Sequence, residues 1–483
     1  MINKLNKIER LNLLWLMAMG LIIVGMSLKI CRMAHCFVFG IDHVNRPIPE
    51  MILYLGIWFI AYYFALERIR KINNLDSTRI NLIWILFVGV VIRVVFFPPH
   101  LIQETDPYRY LWDGQAVVQG TNPYRFSPQE AYSLNVSPAV SKNENIRATF
   151  ERISFPDVKT IYPPLAQYLF AVSQYLTPWS LLGWKWMIMI VDALIIGTLL
   201  ALLGRMKTRM EWILLYAWSP LILKEFHNSL HLDVFALFFL VLMIYSFIRG
   251  WVILSFIALA CATMVKWFSL ILLPLLILAT LSRIRKNLLN ISLFLGLAVF
   301  LYLPFISAGR YLWEGLTTFS FNWRVNDGIF SVILFCIQSL HLSEELTKLI
   351  ARLIVGIIFL GISLTVLSWY SKKRNNSSFL QAGLILTSSL FFLIPTGNPW
   401  YFTWIFPFLV FFPRRSLVLF SGLVLLYYLD FYFIYQDQKY LYNWIRLIEY
   451  GVFFLFLGYE LWKNRQLPLL SRFTTRVASL ERR

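Results

Sequence analysis

Charge is scarce in this sequence: Asp, Glu, Lys and Arg make up 14% of 483 residues, against 59% hydrophobic and 17% aromatic. A water-soluble globule needs more polar surface than this, so the composition implies an integral membrane protein. Acid is scarcer than base, 25 Asp and Glu against 44 Lys and Arg. The excess base is divided into short clusters between apolar runs, the pattern of topology signals, and gives no reason to expect a nucleic-acid partner. Cysteine is rare, with four in the chain. Only Cys31 and Cys36 stand close enough in sequence for a bridge, and two free thiols are the alternative. Also missing are HExxH, a P-loop, and a DxD placed as in nucleotide-sugar enzymes, and the His- and acid-rich segment at 224–233 contains no cysteine pair. A soluble nucleotide donor, ATP hydrolysis, a metal and a cofactor are therefore not expected.

What the chain has instead is a succession of apolar runs. A helical crossing needs roughly 20 apolar residues, fewer where the bilayer thins. The candidates are 11–30, 51–66, 80–97, 185–204, 211–224, 232–248, 251–264, 266–281, 288–308, 346–370, 379–395, 400–412, 416–435 and 444–462. The first follows Lys4, Lys7 and Arg10 with no small-residue cleavage site behind it, so it reads as a retained span. Basic clusters at Arg68, Arg70 and Lys71; Arg205, Lys207 and Arg209; Arg283, Arg285 and Lys286; Lys372, Lys373 and Arg374; Arg414 and Arg415; and from Lys463 onward fix the orientation. With both termini cytoplasmic, every cluster falls on the cytoplasmic side. This threading requires PPLAQYLFAVSQYL, which follows Tyr162, to lie along the outer surface without crossing. No internal repeat is visible, so residues 1–483 read as one membrane domain with a large outer first loop, 98–184.

The same threading collects the polar and aromatic segments on the outer side: loop 98–184, KEFHNSLHLD at 224–233, the turn before Lys266, FNWRVNDG at 321–328 and PTGNPWYF at 395–402. Glu104 and Asp106 emerge directly after an apolar run, where a half-desolvated carboxyl can serve as a general base. The alternative is a pair of solvated acids, or Asp106 as the N-cap of a helix starting at Pro107. In that helix Arg109 and Asp113 stand one turn apart and can pair, and Gly120 ends it. Tyr162 precedes two prolines that stiffen the start of the surface helix. Glu225, His231 and Asp233 suit hydrogen bonding to a polyol better than metal ligation. Asp192 and Lys266 lie in or beside apolar helices, where an ionisable group is costly and marks either a site or a structural ion pair. Lys266 and Arg324 have the charge to hold a phosphate, and Trp323, Trp400 and Tyr401 the rings to stack on a sugar or a lipid chain.

Taken in order, TDPYRYLWDGQAVVQGTNPYRFSP (105–128), TIYPPLAQYLF (160–170), EFHNSLHLDVFALFFL (225–240), MVKWFSLILLPLL (264–276), FNWRVNDGIF (321–330) and PTGNPWYFTWIFPFL (395–409) resemble bacterial membrane glycosyltransferases of the GT-C fold that use polyprenyl-phosphate sugars, related to polyprenyl-phosphomannose-dependent mannosyltransferases. The resemblance implies an all-α polytopic membrane protein of roughly 12–14 transmembrane helices, active at the outer face of a cytoplasmic membrane. It implies inverting transfer of a hexose, mannose by the family's habit, from a lipid-linked donor to a glycan or glycolipid acceptor. It makes Asp106 the catalytic base, with Glu104 as substitute. Arg109, Tyr110, Trp112, Asp113, Tyr162, Glu225, His231, Asp233, Lys266, Trp323, Arg324, Asn326, Trp400 and Tyr401 then bind substrate. A transporter or flippase of lipid-linked sugars, which would be expected to show related halves, and an inactive assembly partner are the alternatives.

Overall fold

The computed structural model describes residues 7–72, 79–134, 144–281 and 284–466. Among these no strand forms, and one isolated bridge pairs Val325 with Thr396. The chain is an all-α polytopic membrane protein. Eight helices are long and apolar enough to cross a membrane, and four apolar helices of 10–17 residues are shorter. The long elements are α1 (Lys7–Met33), α2 (Ile48–Lys71), α3 (Arg79–Phe96), α4 (Asp106–Val118), α5 (Pro164–Leu176), α6 (Leu182–Arg205), α7 (Asp233–Ile248), α8 (Val252–Val265), α9 (Ile284–Tyr302), α10 (Glu344–Lys373), α11 (Asn376–Leu393), α12 (Arg415–Leu423) and α13 (Tyr442–Gln466). All four cysteines are free thiols.

Several expected crossings are broken by proline, which has no N–H to donate and crowds the preceding turn. At 211–224 the chain forms short pieces, Met210–Ile213, Leu214–Ala217 and Pro220–Ile222, followed by a π-helical turn, Leu223–Asn228. At 400–412 it is divided between Pro399–Phe402, Thr403–Ile405 and Phe406–Leu409. Backbone of this kind is tolerated at membrane depth only where protein encloses it, and residues 213–233 are buried throughout. Between 309 and 345, where the pattern gave no crossing, the structure places Glu314–Asn322 and Ile329–Gln338. The last expected crossing, 444–462, lies within α13, a helix too polar to count among the eight.

Basic residues gather at one end of the bundle. Arg415 pairs with Glu67 (2.6 Å), Arg70 donates to the Pro413 carbonyl (2.8 Å), and Arg209 donates to the Ile69 carbonyl (2.6 Å). Arg283, Lys4 and the tail beyond Gln466 lie outside the described residues. The opposite end carries α4 and α5, crossed so closely that a Cβ added to Gly114 would lie 2.5 Å from the Phe170 carbonyl oxygen. The Tyr110 ring stacks on Phe170 beside this contact, centroids 4.5 Å apart. As the spacing predicts, α5 begins at Pro164 and α4 stops before Gly120, whose φ of 71° is open to glycine at no steric cost.

Candidate functional site

At this end a cavity of about 980 Å³ opens between the first loop, the break after α8 and the 395–404 segment. Its chemistry starts at the head of α4, whose first N–H groups have no partner within the helix. Glu104 supplies one: its Oε1 accepts from the N–H groups of Thr105 (2.8 Å) and Asp106 (2.9 Å). The expected N-cap, Asp106, is thereby the first residue of the helix, and its carboxyl faces the cavity with 35% of its side-chain surface accessible.

The two acids titrate in opposite directions. Burial disfavours the Glu104 carboxylate, but His231, with Oε2 3.1 Å from Nε2, together with the Asp106 N–H and Lys224, holds its pKa below the ordinary value. The Asp106 pKa is pushed up to about 6, first by burial and then by the Glu104 charge, against the pull of His231 and Lys266. One acid is fixed as a charge, and the other can exchange a proton near neutrality.

His231 sits behind both. It is fully buried, stacked on Trp400 at 3.9 Å, with Nδ1 3.8 Å from Asp106 and Nε2 3.3 Å from Glu225. Burial alone would keep the ring neutral, yet Glu104 and Glu225 push its pKa up to about 10. The π-helical turn places Glu225 for this role, and Glu225 in turn accepts from the Tyr428 hydroxyl (2.8 Å). Lys224 donates to Ser229 (2.6 Å) and to the Ile102 carbonyl (3.1 Å), tying this turn to the first loop. Leu230, at φ 59°, makes the tight turn that presents His231.

On another wall Lys266 breaks away from α8 and reaches both Asp233 oxygens (2.7 and 2.8 Å), with its ammonium 4.3 Å from the Tyr401 ring centroid. Trp404 donates to the same carboxylate (2.6 Å). Arg109 pairs with Asp113 (2.8 Å), as its spacing predicts, and donates to the Val158 carbonyl (2.8 Å), while its Nη2 has no partner among the described residues.

Glu104, Asp106, Arg109 and Tyr162 line the cavity, as do Lys266, Trp323, Trp400 and Tyr401. Glu225, His231 and Asp233 form the layer behind it. The remaining expected binding residues serve the frame. Tyr110 packs on Phe170, Trp112 packs with Ile146 and Ile153, and Asp113 holds Arg109. Arg324 is turned to Asp327 (2.8 Å), and Asn326 bonds Glu449 (3.0 Å) and the Gly397 carbonyl (3.3 Å), steadying the 395–402 segment. Asp192 belongs to an ion pair with Arg93, also accepts from Tyr216 (2.6 Å), and does not line the cavity.

The sequence reading missed Arg46, Gln103, Arg152 and Lys159 on the cavity wall. A signal for Arg46 exists: with both termini on one side, the 34–47 connection falls on the same side as the first loop. Among the described residues no group of three or more His, Cys, Asp and Glu is placed to hold a metal ion. Compared with protein-family models, curated proteins and solved structures, the chain matches none.

Proposed function

We propose that this chain is an inverting glycosyltransferase that moves a hexose, with mannose the first candidate, from a polyprenyl-phosphate donor to a glycan or lipid acceptor. The motif resemblance to GT-C enzymes supports the reading, but the observation that carries it is Asp106: a carboxyl released from helix capping by Glu104, with its pKa raised into the working range of a base. In the reaction an acceptor oxygen attacks the anomeric carbon from the face opposite the phosphate. Its proton passes to Asp106, the C–O bond to phosphate breaks, and polyprenyl phosphate departs with the electron pair. A single base suffices for inversion, and the transition state has oxocarbenium character.

Lys266 is the residue we assign to the departing phosphate, because two of its protons are committed to Asp233 and one remains for the cavity. The wall beside it changes to Trp267, Phe268, Phe319, Leu390 and Ile394, apolar enough to accompany a lipid chain. We assign the basic end to the cytoplasm by the positive-inside rule, which puts the cavity at the outer face.

The test is transfer of radiolabel from polyprenyl-phosphomannose to a membrane-glycan extract by the protein in nanodiscs. Wild type should transfer, and Asp106→Asn should lose roughly 10²–10⁴-fold in rate with unchanged thermal unfolding. A folded wild type inert with mannosyl, glucosyl and arabinosyl donors alike would end the reading in favour of transport or assembly. Full activity in Asp106→Asn would remove Asp106 as the base.

A further inference from the structure

Five Lys and Arg side chains line the cavity, and they divide into two groups. Lys266, Arg109 and Lys159 each have a carboxylate within 2.8 Å: Asp233, Asp113 and Glu314. Arg46 and Arg152 have none within ion-pair distance among the described residues, and the Nε of each is buried without a hydrogen-bond partner. Uncompensated guanidinium groups in a half-buried wall are costly unless an anion completes them.

Both are held in place. The Arg46 guanidinium lies 6.0 Å from the ring centroids of Phe37 and Tyr435, and Arg152 lies 5.3 and 5.2 Å from Phe39 and Tyr108. All four rings line the cavity, so each cation is braced between aromatic faces and less of its freedom remains to be lost on binding. Arg46 is also joined directly to the segment that carries the acids, and Arg152 through its chain neighbour. Arg46 donates to Gln103 Oε1 (3.1 Å), and Thr105 shares a 2.7 Å hydrogen bond with Ser154, two residues beyond Arg152.

We infer that Arg46 and Arg152 form a subsite for an anionic group, a phosphate or carboxylate, carried by the acceptor. The inference rests on the glycosyl-transfer reading for the word acceptor; the anion site itself does not. Guanidinium is the donor suited to such oxyanions, through its planar fork. Lys266 and its apolar wall are left to the donor, which gives the two substrates separate cations in one cavity.

The full chain in phosphatidylcholine nanodiscs, without donor, is titrated with mannose 6-phosphate and with methyl mannoside. Phosphatidylinositol is built into a second set of nanodiscs and its retention read by native mass spectrometry. The phosphosugar should bind at least about tenfold more tightly than the neutral sugar, as a charge-assisted hydrogen bond implies. That advantage should vanish in Arg46→Gln/Arg152→Gln and persist in Lys266→Met. Arginine-dependent binding of the phosphosugar identifies a water-borne anionic glycan as the source, and arginine-dependent retention of phosphatidylinositol a lipid headgroup. Neither effect, or an effect abolished by Lys266→Met alone, overturns the subsite. A protein that transfers sugar with acceptor KM unchanged in the double variant overturns it while sparing the proposed reaction. Arginine-dependent binding by a protein that transfers nothing does the reverse.

Discussion

Whether a carboxyl group at the head of a helix caps or reacts depends on which side chain reaches the free N–H groups. At α4 the answer is Glu104, two residues before the helix, which leaves Asp106 to the cavity. The sequence identified both acids but could not divide their labour, because the division depends on how the backbone turns at Gln103, where φ is 54°. His231 was legible as a polar residue near the site but not as a buried cation between two carboxylates, since Glu104 and Glu225 are far apart in sequence. A base must be ionised to act, so if Asp106 is the base, as proposed, kcat/KM should fall as pH drops through about 6, the value to which it is raised. Lys266 lowers that pKa, so in Lys266→Met the acid limb of the profile should move to higher pH. A limb that stays in place would show that Lys266 exerts no field on the base.

At the scale of elements, local rules read well wherever the partners are near in sequence. The Arg109–Asp113 pair, the stop at Gly120 and the Pro164 start all follow from spacing within one or two turns. The breaks at 210–228 and 399–409 were marked by Pro220, Pro399 and Pro407, but continuous apolarity masked them: hydropathy does not report which carbonyls lose a donor. The contact between α4 and α5 was not legible, because only the folded structure shows that Gly114 faces the Phe170 backbone. Gly114→Val should therefore force the helices apart and destabilise the protein by about 1–3 kcal/mol, the usual cost of overpacking. Thermal unfolding in detergent reads this directly, and an unchanged midpoint would mean that the crossing relaxes freely.

Across the whole molecule, α3, α6 and the broken 210–228 segment are bolted together away from the cavity. Arg93 bonds Asp192 and donates to the Ala217 carbonyl (2.9 Å), and Asp192 also meets Tyr216 and His227 (3.0 Å). The apolar pattern correctly announced a buried charge at Asp192, and its cost by itself does not say whether such a charge is a site or a joint. The enclosure decides for a joint. Removing one partner leaves a buried charge uncompensated, so Arg93→Ala should cost about 3–5 kcal/mol, whereas Arg93→Met/Asp192→Leu should cost less than either single change. Chemical denaturation of the three variants checks the order, and equal losses in all would argue against an ion pair as the fastening.

Leu230 lies on this larger frame as well as on the site. A leucine in the left-handed region bears about 1 kcal/mol of backbone strain, and it is held there by burial and by Trp184, whose indole N–H donates to the Leu230 carbonyl (2.8 Å). The turn that presents His231 is therefore held under strain, as is the turn at Gln103 that leads to the two acids. Relaxing it would draw His231 away from Glu104 and Glu225, so the proposed chemistry depends on a turn that the surrounding helices keep from unwinding.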